Sequence, residues 1–160
     1  MKNKIGVVAG DLFWSSIPYD SINVQFALDQ IVATDIIMFE KDIRLNKQFS
    51  GEEKFAFDKS LFVNNKRLVI ISNWDDLVKL SSDYDFLIAS SKIAPKTRYP
   101  HSMFGKLKCP IGAWDIGGGD VLTDTEHYNF FLLKGHIWKS WMQLMNPYKL
   151  SYVSGTPHYD

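Results

Sequence analysis

The residues best suited to chemistry stand where apolar runs end. Trp114-Asp115-Ile116-Gly117-Gly118-Gly119-Asp120 places a carboxylate beside three consecutive glycines. Glycines allow positive φ and a close approach of backbone to ligand. A carboxylate there can accept the proton of an attacking hydroxyl, so Asp115 is a candidate general base, with Gly117 and Gly118 beside the substrate. Asp120 and Asp124 are alternatives in the same stretch. The plain structural alternative is a glycine-rich turn with solvated aspartates.

Lys134-Gly135-His136 precedes a helical pattern. The free N–H groups of a helix start favour anions, so these three residues are candidates for a phosphate or a sugar hydroxyl. Gly10-Asp11 closes the first apolar run and is a fourth candidate location. It is not a G-x-G-x-x-G fingerprint, because the next glycine is Gly51. A tight turn is the alternative reading there. Phe13, Trp14 and Tyr19 follow in an aromatic stretch, where Trp14 could stack on a sugar ring or pack at the edge of the core. No G-x-S-x-G nucleophile motif occurs. His101, His127, His136 and His158 lack metal-ligand spacing, so no metal is expected.

These loops need strands to hold them. Ile5 to Ala9 is a continuous apolar run of the kind that parallel strands show when both faces are covered, and Asp85 to Ala89 reads as another buried strand. Asp35 to Phe39, Pro110 to Trp114, Asn129 to Leu133 and Leu150 to Val153 read as further strands. Between the first two strands, Val24, Ala27, Leu28 and Ile31 recur at i, i+3, i+4, i+7. That spacing predicts a helix capped by Asp20 or Ser21, with these four inward and Gln25 and Asp29 on the other side. Asn73 is placed to cap a short helix through Leu80. His136 to Met145 predicts a helix with Ile137, Trp141, Leu144 and Met145 on one face. Leu61 to Val63 and Arg67 to Ser72 flank Asn64-Asn65, which suits a hairpin turn. Lys41 to Ser60 is polar and aperiodic, and Pro95 and Pro100 bracket a loop.

Strands and helices alternate, and the last unit reads as β-α-β, whose crossover implies parallel strands. The expected class is α/β: a Rossmann-like open, mostly parallel sheet with helices on both faces, in three layers. The 160 residues fit one domain. Lys plus Arg and Asp plus Glu are both 18, so no basic face is available for nucleic acid. One cysteine, Cys109, cannot form an internal disulfide, and together with the absence of an 18-residue apolar run or a secretory h-region this points to a cytoplasmic setting.

The last unit also carries a resemblance. Phe131-Leu132-Leu133-Lys134-Gly135-His136-Ile137-Trp138-Lys139, followed by Tyr152-Val153-Ser154-Gly155-Thr156-Pro157-His158-Tyr159-Asp160, resembles a pattern of GT-B glycosyltransferases. The similarity is nearest to the CDP-glycerol glycerophosphotransferase-like and surface-polysaccharide branches, and sugar-nucleotide epimerases share a version of the final motif. It spans about 30 residues, and motif and context agree over that span. Elsewhere only the α/β alternation matches. Where the family often has His-Gly, this chain has Trp114-Asp115-Ile116-Gly117-Gly118.

The resemblance implies an N-terminal, acceptor-side half. It would bind a small-molecule or glycan acceptor, with Asp115 as base and Gly10 and Asp11 toward the donor phosphates. A second domain or chain would hold the nucleotide-activated donor, which is a substrate, so no cofactor is expected. A docking face for that second domain would favour self-association of the chain. A stand-alone module for a nucleotide or sugar phosphate, and half of a sugar-nucleotide epimerase, are the alternative readings.

Overall fold

In the computed structural model the described residues are 3–9, 17–40, 65–90, 101–114 and 128–155. Seven strands form one sheet: β1 (Lys4–Val8), β2 (Ala33–Phe39), β3 (Leu68–Ile71), β4 (Phe86–Ser90), β5 (Ile111–Trp114), β6 (Phe130–Leu133) and β7 (Leu150–Val153). Their order is β3-β2-β1-β4-β5-β6-β7, and every pairing is parallel. This is the expected Rossmann-like open sheet, and it is wholly parallel among the described strands.

The helices are α1 (Ile17–Asp29), α2 (Trp74–Leu80) and α3 (His136–Met145), with two short 3-10 turns at Ser81–Asp83 and His101–Lys106. Their placement follows from handedness. β1 to β2 steps one way along the sheet, whereas β3 to β4 and β6 to β7 step the other way. Right-handed crossovers therefore put α1 on one face and α2 and α3 on the opposite face. Buried apolar residues gather in three clusters, the smallest of them Ala9, Ile36 and Met38. On the α2–α3 face, Val8, Ile37, Phe39, Leu87, Ile111 and Phe131 pack with Leu77 and Met142. On the α1 face, Ile5, Val7, Ile88 and Trp114 pack with Val24.

Gly6 shows how tight the first core is. A Cβ there would stand 2.5 Å from Leu87 Cδ2 and 2.7 Å from Ile37 Cδ1. A side chain at this position would require Leu87 or Ile37 to shift.

The carboxylate or amide before a strand locks that strand to its neighbour at the amino edge. Asp85 N–H donates to the Lys4 carbonyl (2.8 Å), and Lys4 N–H donates to Asp85 Oδ2 (3.3 Å). Asn129 repeats this on β5: its N–H donates to the Ile111 carbonyl (2.8 Å), and its Oδ1 accepts from Ile111 N–H (2.9 Å). Deeper at the same edge, buried Asp35 accepts from the Tyr84 hydroxyl at 2.8 Å and pairs with Lys4 Nζ at 2.6 Å. Arg67 extends the cluster, with Nη1 3.7 Å from Asp35 and Nε 3.0 Å from Asp29.

Three local expectations are corrected. First, α1 begins at Ile17, so Tyr19 lies in the helix, and Asp20 and Ser21 are inside it rather than capping it. Its buried side is Ser21, Val24 and Gln25, while Ala27 and Ile31 are exposed. Gln25 goes inward because its amide is satisfied there. Nε2 donates to the Thr34 carbonyl (2.9 Å), and Oε1 accepts from Asn65 Nδ2 (2.6 Å). Second, α3 has the expected bounds, but Met142 is its buried residue, with Trp138 and Trp141 packed alongside. Ile137, Leu144 and Met145 are exposed. Third, Leu68–Ile71 runs parallel beside β2. Leu61 to Val63, its suggested hairpin partner, lies outside the described residues, as do Lys41 to Ser60 and the loop from Pro95 to Pro100.

Candidate functional site

Because all seven strands are parallel, their carboxyl ends share one edge. The chain reverses its direction of travel across the sheet between β1 and β4, and ligands of open α/β sheets bind in the crevice at such a switch point. Gly10 and Asp11 follow β1 and Ala9 in sequence and lie outside the described residues. β5 stands next to β4, and β6 next to β5, with Trp114 in register with Ser90 on one side and Leu132 on the other. So the residues after β5 and those after β6 leave the sheet from neighbouring strands. From β1 to β6 there are three strand spacings, or roughly 14 Å.

Three of the candidate residues are described. Lys134 and Gly135 link β6 to α3, and His136 is the first residue of that helix. Gly135 is the N-cap, with φ −171 and ψ 171, and its carbonyl starts the helix by accepting from Lys139 N–H at 3.0 Å. Having no side chain, it leaves the first-turn amides uncapped, and no acidic residue stands in that turn. The positive end of the helix dipole is therefore unneutralised by the helix's own residues and points out at the carboxyl edge. His136 is exposed there. Lys134 Nζ is 4.3 Å from the Trp138 ring centroid, which adds a cation beside the same amides. This combination of amides, lysine and imidazole can bind an anionic or hydroxyl-rich group.

The following strand ends in the second half of the sequence motif. Ser154 N–H donates to the Leu133 carbonyl at 2.9 Å, which keeps the exit of β7 beside that of β6. Gly155 then has φ 79, a left-handed conformation that favours glycine.

Asp115, Gly10, Asp11, Trp14, Gly117 and Gly118 lie outside the described residues, as do the alternatives Asp120 and Asp124. The strands that deliver Asp115 and Gly10 are described, and both end at the carboxyl edge.

One residue that sequence reasoning did not select also lies here. Trp114 ends β5 immediately before Asp115 and is 2% exposed, and its Nε1 is a buried donor with no acceptor among the described residues. Buried indole N–H groups ordinarily find a partner. The signal in the sequence was an aromatic closing an apolar run just before a carboxylate.

The amino-edge cluster of Asp35, Lys4, Arg67 and Tyr84 is rich in charge but lies at the opposite end of the strands. Its donors and acceptors are spent on one another. Burial, and then the hydrogen bond to Asp35, push the Tyr84 hydroxyl well above the ordinary tyrosine range. That group stays protonated and holds strands together.

Among the described residues, no group of three His, Cys, Asp or Glu side chains could hold a metal. None of the described helices is long and apolar enough to cross a membrane. No family model, curated protein or solved structure matches the chain.

Proposed function

We propose that this domain is the acceptor-side half of a GT-B-type glycosyltransferase or glycerophosphotransferase, acting in the cytoplasm on surface-polysaccharide or glycoconjugate precursors. The observation that carries the reading is the β6–α3–β7 unit. It puts Lys134, Gly135 and His136 at an uncapped helix start and Gly155 at a left-handed turn beside them. Both features fall within the stretch of sequence that carries the resemblance.

In this reading Lys134, Gly135 and His136 hold a phosphate or hydroxyl of the acceptor. Asp115 takes the proton of the attacking hydroxyl. Gly117 and Gly118 allow the acceptor to come close, Trp14 stacks on a ring, and Gly10 and Asp11 face the donor phosphates. A second domain or chain supplies the nucleotide-activated donor, so the chain alone turns nothing over.

The test is a thermal-shift series on the purified chain. Glycerol phosphate and short polyol-phosphate oligomers should raise the melting temperature, while nucleotides and nucleotide sugars should not. A stand-alone nucleotide-binding module is the second reading, favoured by the switch point between β1 and β4. A shift from a nucleotide alone would select it.

A further inference from the structure

α3 buries little of its apolar surface. Met142 is its one buried residue, and Trp138 and Trp141 are only partly buried against the core. Ile137 is 85% exposed and Leu144 is 83% exposed. Ile137 stands about 140° and Leu144 about 160° around the helix from Met142, so both point away from the sheet. Seven positions apart in sequence, they lie two turns apart on one ridge. Apolar exposure continues past the end of the helix, where Met145 is 62% and Tyr148 98% exposed.

The even overall charge hides an imbalance in the same segment. From His127 to Tyr159 the sequence holds three lysines, Lys134, Lys139 and Lys149, and no aspartate or glutamate. Lys149 donates to the Tyr128 carbonyl. Lys139 stands on a flank of α3, about 120° from its outward direction. Its long stem lets the ammonium reach past the ridge while the apolar side chains stay together.

We propose that α3 and the turn after it seat this chain on an anionic lipid surface. Ile137, Leu144 and Tyr148 enter the headgroup region, and Lys139 meets the lipid phosphates. Shape, aromatic content and charge favour this occupant. Apolar side chains that project from a helix away from its sheet form a ridge, which a fluid surface accepts without a matching cavity. Trp138 and Trp141 lie edge to face at 6.4 Å beside that ridge, and Tyr148 follows them. Indole and phenol rings favour a boundary with one apolar and one wet side. Lysines free of neighbouring acids in sequence are what a layer of anionic headgroups attracts. Three lysines are too few for a nucleic-acid face, and the exposed apolar side chains would meet no counterpart on phosphates. The lipid contact uses the side of α3, whereas the proposed acceptor site uses its first turn, so the two stand or fall separately.

The experiment is co-sedimentation of the purified chain with vesicles. The chain should bind vesicles of phosphatidylcholine with roughly 30% phosphatidylglycerol, and pure phosphatidylcholine far less. Salt at about 0.5 M should release most of it by screening. Ile137→Ser joined to Leu144→Ser should weaken binding about tenfold or more. Lys139→Gln should weaken binding to the anionic vesicles about fivefold. Ile31→Ser removes an equally exposed isoleucine beside α1 and should bind as the parent chain does. All of these positions are on the surface or its margin, so the circular dichroism spectrum and melting temperature should stay close to the parent's. A chain that ignores anionic vesicles would overturn the proposal, as would one that instead dimerises through Ile137 and Leu144. Binding that survives the double serine variant, or that Ile31→Ser lowers equally, would overturn it as well.

Discussion

Lys134 Nζ lies 4.3 Å from the centroid of the Trp138 ring, so the lysine that follows β6 is held over the first turn of α3. Trp138 also packs against the core of that face. The indole therefore joins the interior to the proposed acceptor site. Trp138→Ala should cost about 3 kcal/mol or more of stability, mostly through lost packing. Lys134→Met should change stability by less than about 1 kcal/mol while weakening phosphate-bearing acceptors about tenfold or more. Urea denaturation of both variants and calorimetric titration of Lys134→Met with glycerol phosphate check the pair.

The cluster around Asp35 predicts a strong asymmetry between its members. Asp35 accepts from Tyr84 and faces Lys4 and Arg67 while almost fully buried. Asp35→Ala would leave these donors without their acceptor and should cost about 3–5 kcal/mol. Arg67→Ala removes a half-exposed partner 3.7 Å away and should cost about 1 kcal/mol from that pair. Equilibrium unfolding of the two variants decides the order.

Tyr84 predicts the alkaline limit of the fold. Burial and the hydrogen bond to Asp35 raise its folded-state pKa above the ordinary 10.0. Below pH 10 the phenol is neutral in both states, and its contribution is fully present. Above that, the unfolded chain loses the proton first, so stability falls by about 1.4 kcal/mol per pH unit from this group. Denaturation measured from pH 8 to 11 should show this slope, and Tyr84→Phe should show a shallower one from a lower starting stability.

Gly6→Ala should be destabilising by about 1–3 kcal/mol, since the new methyl would meet Leu87 and Ile37, both completely buried. Gly105→Ala meets none of the described residues within 4 Å and should be near neutral. Thermal melts of the two variants make the comparison.

The strands were legible because parallel strands buried on both faces are apolar without interruption, as in Ile5 to Ala9 and Phe86 to Ala89. The cap of α2 was legible because Asn73 must satisfy a local amide, and its Oδ1 does accept from Asp76 N–H at 3.0 Å. The inward face of α1 was not legible. Periodicity sorts residues by polarity, and Gln25 is buried through partners at Thr34 and Asn65 that lie beyond the helix. The same limit hid the amino-edge cluster, whose members are scattered from Lys4 to Tyr84 and meet only through strand order. At the carboxyl edge, Lys134 to His136 were legible from the strand-turn-helix pattern. Trp114 was not, because an aromatic that ends a buried strand reads as core until its N–H is found without an acceptor among the described residues.

The measurement that tests the central claim most directly is the melting temperature of the purified chain against two ligand sets. One set holds polyol phosphates and short glycan acceptors, and the other holds nucleotides, CDP-glycerol and nucleotide sugars. An acceptor-side half predicts a rise with an acceptor, by linkage, that His136→Ala reduces, and no response to the nucleotide set. A clear rise from a nucleotide with none from any acceptor would contradict it, and would assign the carboxyl edge to a nucleotide.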